Sequence, residues 1–257
     1  MNLNYPSFKG YVIVACGTLG LELRHLNETG FLDADRILFT APGLHEVPRE
    51  LEKQLIRQLK NAKKYSQKTI VVYGSGCYIN VADPFKDIDK LIQEQGEGIV
   101  RVEAKNCIDM LADSQTRQGI SQGEKIYWLT PGWLKFWRQL FKDWDIGKAN
   151  ETFPQNDKAI LLDSVDFFDE YSKNFPEKVL EFSSWMKIPI EPYKISLDRL
   201  KGLISDCVRR LRIKELSERV AELKKSLPVH STKPSMLQQL EELEEKLERE
   251  KDELYEK

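Results

Sequence analysis

The sequence predicts an α/β protein: a doubly wound, mostly parallel sheet with helices on both faces, followed by a C-terminal helical hairpin. Three observations carry this. Short apolar runs alternate with longer amphipathic stretches over the first two-thirds of the 257 residues. Those runs are apolar throughout, as strands covered on both faces are. The composition then changes to Glu, Lys and Leu over residues 212–257, so the expected division is an α/β domain, 1–211, and a helical tail, 212–257.

The first strand reads as Tyr11-Val-Ile-Val-Ala15, with a helix from Leu19 to Asn27. The second is Arg36-Ile-Leu-Phe-Thr40; a helix from Glu46 to Tyr65 follows, with Leu51, Leu55, Ile56 and Leu59 on one face and Pro48 in the first turn, where no backbone donor is needed. The third, Thr69-Ile-Val-Val-Tyr73, precedes a helix from Asp83 to Gln95 whose apolar face is Phe85, Ile88, Leu91 and Ile92. The fourth, Gly98-Ile-Val-Arg-Val102, precedes a helix from Asn106, its cap, to Gln115. Lys125–Thr130 and Lys158–Leu162 are the fifth and sixth strands, followed by helices from Trp133 to Phe141 and from Asp163 through Phe182. The prolines within Ile188–Ile195 assign it to an edge strand, and Leu197–Leu211 is helical. In the tail, Leu216, Val220, Leu223 and Leu227 form one stripe and Leu237, Leu240, Leu243 or Leu247, and Leu254 another. Pro228–Pro234 breaks the helix between them, and Ser235 with Gln238 has capping-box spacing.

Right-handed crossovers put every strand-to-helix loop on one edge of a parallel sheet, where open α/β sheets place their ligands. Cys16, His45, Cys77 and Cys107 follow the first four strands, so all four are expected along that edge. Three thiolates and an imidazole make a tetrahedral donor set for zinc, and three cysteines equally serve an iron–sulfur cluster. Each cysteine alone reads better as packing, and it is the three together with a histidine in a matching place that shift the set toward a common site. Gly17, Gly74 and Gly76 allow the backbone to approach closely, and Tyr73, Asn106 and Trp133 stand where they line the same crevice. Glu22, one turn beyond Cys16, is a candidate base or support for a ligand, or an acid on a solvated helix face. Cys207 reads as core, and His25 and His230 have no ligand-like context.

With 39 basic and 41 acidic residues the formal charge is −2, which gives no general pull toward nucleic acid or an acidic membrane. The N-terminus lacks a signal-peptide pattern and no apolar run is long enough to span a bilayer, so a cytoplasmic protein with reduced thiols is expected. There is no GxGxxG helix opening, Walker loop, GxSxG elbow or HExxH.

Ala15-Cys-Gly-Thr-Leu19 with Glu22, Gly43-Leu-His45 with Pro48, Tyr73-Gly-Ser-Gly-Cys77, Asn106-Cys107 and Pro131-Gly-Trp133 occur together in order. On these motifs the chain resembles the domain of unknown function 1638 (DUF1638) family, from about Val12 to Leu203. Asn106 stands where the family tends to have Asp, and Cys77 lies one residue later than the family's cysteine often does. The resemblance implies a setting in corrinoid-dependent methyl transfer, with a small-molecule substrate or a corrinoid or methyl-transfer protein as partner. A zinc-bound thiolate accepting a methyl group fits that setting, as would a metal-dependent enzyme associated with methyl transfer. Two other readings stay open. One is a non-catalytic protein with a structural zinc, interacting or forming a homo-oligomer through its C-terminal helices; the other is an iron–sulfur protein.

Overall fold

The computed structural model describes residues 5–227 and 234–255. Its chain forms two compact units, Ser7–Leu203 and a smaller one of Ile204–Lys257 with the first six residues.

In the larger unit, β1 (Tyr11–Cys16), β2 (Arg36–Thr40), β3 (Lys68–Val72) and β4 (Ile99–Arg101) form a parallel sheet in the order β2-β1-β3-β4. Its helices are α1 (Gly20–Glu28) after β1, α2 (Pro48–Ala62) after β2 and α3 (Ile88–Gln93) after β3. Side chains of successive strand residues point to opposite faces. Val12, Val14 and Val71 pack in one core with Leu51, Leu55 and Leu59 of α2 and Ile88 and Leu91 of α3. Ile13, Ala15, Ile70 and Val72 point the other way and are equally buried, as are Leu23 and Leu26 of α1. The strand order reverses between β1 and β3, since the chain steps from β1 to β2 on one side and then to β3 on the other. Such a reversal opens a crevice at the carboxyl ends of the two strands.

A second parallel sheet, β5-β6-β7, consists of Ile126–Leu129, Lys158–Asp163 and Ile190–Lys194. The single continuous sheet expected from the sequence is therefore two, because β5 pairs with β6 and not with β4. The last strand lies on an edge, as Pro192 requires.

Several helices differ from expectation. Asp83–Asp87 is a loop, because Asp87 caps α3 by accepting from Lys90 N–H, and Phe85 is 89% exposed rather than on the apolar face. Asn106–Gln115 is broken at Asp113, which caps a second helix, giving α4 (Cys107–Leu111) and α5 (Ser114–Ser121). The helix opening at Pro131 is α6 (Pro131–Leu140), and α7 (Ile146–Thr152) has no counterpart in the sequence reading. The stretch from Asp163 to Phe182 holds α8 (Phe167–Asn174) and the start of α9 (Pro176–Met186), divided before Pro176.

Helix α10 (Asp198–Ser226) runs unbroken through residue 211, where the composition suggested a division. In the smaller unit it pairs antiparallel with α11 (Pro234–Tyr255) through Arg209–Glu253, Arg212–Glu250 and Lys224–Glu244. Leu243 and Leu247 are buried. Helix α11 opens at Pro234, so Ser235 lies inside it rather than capping it. His230 and the rest of the expected break from Pro228 to Lys233 lie outside the described residues. Among the described residues no helix is long and apolar enough to cross a membrane.

Candidate metal centre

The crevice at the β1/β3 reversal is flanked by two cysteines. Cys16 ends β1, and its Sγ donates to Thr18 Oγ1 at 3.2 Å. Cys77 closes a short 3-10 turn, Ser75–Cys77, just past β3. Cys107 opens α4 beyond β4, where Asn106 accepts from Asp109 N–H at 2.9 Å.

Two glycines fix how closely these loops approach. A Cβ on Gly74 would stand 2.3 Å from the Lys105 carbonyl oxygen, and the neighbouring Ser75 and Gly76 N–H groups donate to Ala104 and Lys105, both at 2.9 Å. The Cys77 turn is thus laid directly on the segment leading to Cys107. Gly132, at the start of α6, approaches the turn after Cys16 so tightly that a Cβ would meet the Thr18 carbonyl oxygen at 2.0 Å. This seats Trp133 over the crevice. Gly17 and Gly76 lie in the turns beside Cys16 and Cys77.

The three thiols are near enough to act on one another. Burial pushes the Cys77 thiol up to about 11, helped by Cys16. Burial raises Cys107 further, with Cys77, Cys16 and Glu22 adding to it and the Trp133 indole opposing. Tyr73, buried beside them, is bonded to Thr40 and raised by burial and by Cys16. A cation at this point would reverse the effect, holding the sulfurs as thiolates.

Glu22 is fully buried, and neither carboxyl oxygen has a hydrogen-bond partner. Burial raises its carboxyl to about 8, opposed by its own backbone N–H and helped by Asp163 as a like charge nearby. Asp163 itself is occupied, accepting from Phe167 and Phe168 N–H, both at 2.9 Å, at the start of α8. Trp133 is similarly unsatisfied: its indole N–H is buried without a partner of good geometry.

His45 is placed differently from the thiols. It sits in the turn Leu44–Glu46, its ring 5.6 Å from that of Trp133, and its Nε2 is 3.6 Å from the Glu46 carboxylate. Burial lowers its pKa, opposed by Glu46, and no cysteine acts on it. The structure thus brings together Cys16, Cys77, Cys107, Glu22, Tyr73 and Trp133; His45 meets this group only through the Trp133 ring. Among the described residues, no three His, Cys, Asp or Glu side chains already stand in metal-holding geometry. The chemistry of the donors nevertheless fits a borderline-soft cation: three sulfurs and a buried carboxyl group without a hydrogen-bond partner of good geometry.

Sequence reasoning missed Tyr127 and Trp144. Tyr127 meets Trp133 edge-on at 6.4 Å. Trp144 donates from its indole N–H to Glu46 at 3.3 Å and, with Pro42, Glu46 and Lys148, lines a cavity of about 170 Å³ next to His45. Glu46 and Trp144 are 98 residues apart, and no local pattern announces the pairing. Cys207 is buried in α10, as expected.

Parallel strands ending in a thiol cluster at a reversal of strand order define an α/β protein with a candidate metal centre. The chain belongs to the family described as protein of unknown function (DUF1638), whose family model matches residues 39–204. That span holds His45, Cys77, Cys107 and Trp133; it begins after Cys16 and Glu22, later than the start near Val12 expected from the motifs. No curated protein and no solved structure matches the chain.

Proposed function

We propose that the chain is a cytoplasmic metal-binding protein, its metal zinc, acting on a small substrate in one-carbon or corrinoid-linked methyl metabolism. The observation that carries the metal reading is that Cys16, Cys77 and Cys107, from three strand ends, act on one another beside a buried carboxyl group without a partner of good geometry. Bound zinc supplies activation of a thiol or water at neutral pH. The chain's own residues shape the surroundings: Trp133 and Tyr73 exclude water, and the Trp133 indole N–H can donate to a thiolate at Cys107. His45, beside the cavity near Glu46 and Trp144, is a candidate fourth ligand or a proton carrier for a substrate there. The methyl-metabolism setting rests on the family resemblance.

Anaerobic titration with Co(II) tests the metal. The expected result is thiolate charge-transfer absorption that saturates at one cobalt per chain and vanishes in Cys16→Ser with Cys107→Ser. An unchanged spectrum in the wild-type protein contradicts the reading. The corrinoid setting predicts that the zinc-loaded protein, and not the double variant, alters the visible spectrum of methylcobalamin under anaerobic conditions. Identical spectra with both would count against it.

Two other readings have support. Leu237 and Tyr255 on α11 are 50% and 75% exposed, which favours a non-catalytic protein that forms a homo-oligomer or docks through its helical pair. Truncation after Leu211 with loss of assembly and intact metal content would select it. The same three thiols can hold an iron–sulfur cluster, and a brown protein after anaerobic purification would select that.

A further inference from the structure

A metal centre of three thiolates needs a fourth donor, and two residues compete for the place. His45 is the one its residue type suggests, yet its Nε2 is 3.6 Å from the Glu46 carboxylate, and its ring packs against Trp133. Its neighbours therefore already account for the imidazole. Glu22 is in the opposite condition. It is fully buried, and both carboxyl oxygens lack partners. Buried polar groups are almost always hydrogen-bonded, and an unsatisfied carboxyl group is among the most costly exceptions.

Its surroundings explain it only in part: its own backbone N–H acts on the carboxyl, without the geometry of a good hydrogen bond. Asp163 nearby carries the same sign and is committed to the start of α8. Arg24, the cation that acts on it, has its guanidinium over the Phe39 ring, 5.4 Å from the centroid. Glu22 also acts on Cys107, one of the three thiols. Helix α1 begins at Gly20, so Glu22 lies in its first turn, just beyond the turn that follows Cys16.

We propose that Glu22 supplies the fourth donor of the metal centre, completing a set of Cys16, Cys77, Cys107 and Glu22, and that His45 stands outside it. The inference rests on the reading of the thiols as a metal site. A carboxylate oxygen is an ordinary zinc ligand beside thiolates. A cation there gives both Glu22 oxygens the partner they lack.

Zinc K-edge X-ray absorption on the full chain, loaded with one zinc, tests this on the wild-type protein. The expected first shell is three sulfurs at about 2.3 Å and one oxygen at about 2.0–2.2 Å, without the outer-shell scattering of an imidazole. Chelator competition on variants supplies the second arm. Glu22→Gln is expected to weaken zinc binding at least tenfold, and His45→Gln to change it less than about threefold. Imidazole scattering overturns the inference, as does full affinity in Glu22→Gln, which would identify the oxygen as water. In both cases the metal reading survives. A wild-type chain that binds no zinc overturns the metal reading itself and the inference with it. Should Glu22→Gln fail to fold, the wild-type spectrum alone decides.

Discussion

Replacing Glu22 with glutamine in the metal-free protein should change how stability depends on pH. The carboxyl is fully buried, and burial raises it from 4.5 to about 8. The folded chain therefore keeps its proton at neutral pH while the unfolded chain releases it. A raised acid pKa makes folding less favourable as pH rises from the unfolded value, near 4.5, to the folded one, near 8, with no further loss above. At pH 7 the cost is about 3 kcal/mol, taking 1.36 kcal/mol for each of the roughly 2.5 units between 4.5 and 7. Between pH 5.5 and 7.5 the wild-type protein should lose about 2.5 kcal/mol from this group alone. Urea unfolding with chelator and reductant present, followed by tryptophan fluorescence, measures it; all five tryptophans lie in the larger unit. Glutamine keeps the shape and removes the titration. An unsatisfied amide shifts its stability equally at both pH values, so the comparison isolates the proton. If wild type and variant show the same difference between pH 5.5 and 7.5, Glu22 does not hold a buried proton and the account of this carboxyl is wrong.

Gly74→Ala should destabilise by about 1–3 kcal/mol, because the new Cβ cannot fit 2.3 Å from the Lys105 oxygen; Gly119→Ala, with open space around it, is the control, and equal thermal melts for the two would refute the argument. Asn106→Ala should cost about 1 kcal/mol in urea unfolding by removing the cap of α4, whereas Asn106→Asp, whose carboxylate accepts from the same N–H, should retain it. Because burial lowers the pKa of His45, the folded chain resists its protonation, and the wild-type protein should lose stability as pH falls below 6.5 toward the folded value. His45→Gln should remove that loss, and an unchanged acid limb in its stability profile would refute the placement.

The strands of the first sheet were legible because Tyr11–Ala15 and Thr69–Tyr73 are apolar without interruption, which only burial on both faces accommodates. From their ends, the neighbourhood of Cys16, Cys77 and Cys107 followed. The division into two sheets was not legible: β4 and β5 look like any successive strands, and whether they pair depends on packing far from either. Phe85 misled for a local reason. It falls in helical register with Ile88, Leu91 and Ile92, but the Asp87 cap starts the helix after it. For Glu22 the sequence left two readings, a base or ligand support and a solvated helix face, and its burial excludes the second. A carboxylate next to leucines in an amphipathic helix reads as a solvated face, and only the approach of Gly132 to Thr18, from a segment more than a hundred residues away, shows how closely α6 closes over the turn that leads to it. His45 follows a strand like the cysteines, yet its direction is set by Glu46 and Trp133.

The most direct test of the central claim is the metal content of the full chain purified anaerobically without chelator. The account predicts one zinc per chain, lost when Cys16 and Cys107 are both replaced by serine. A wild-type protein with only trace metal that also fails to take up added zinc, or a double variant that retains a full equivalent, would contradict it.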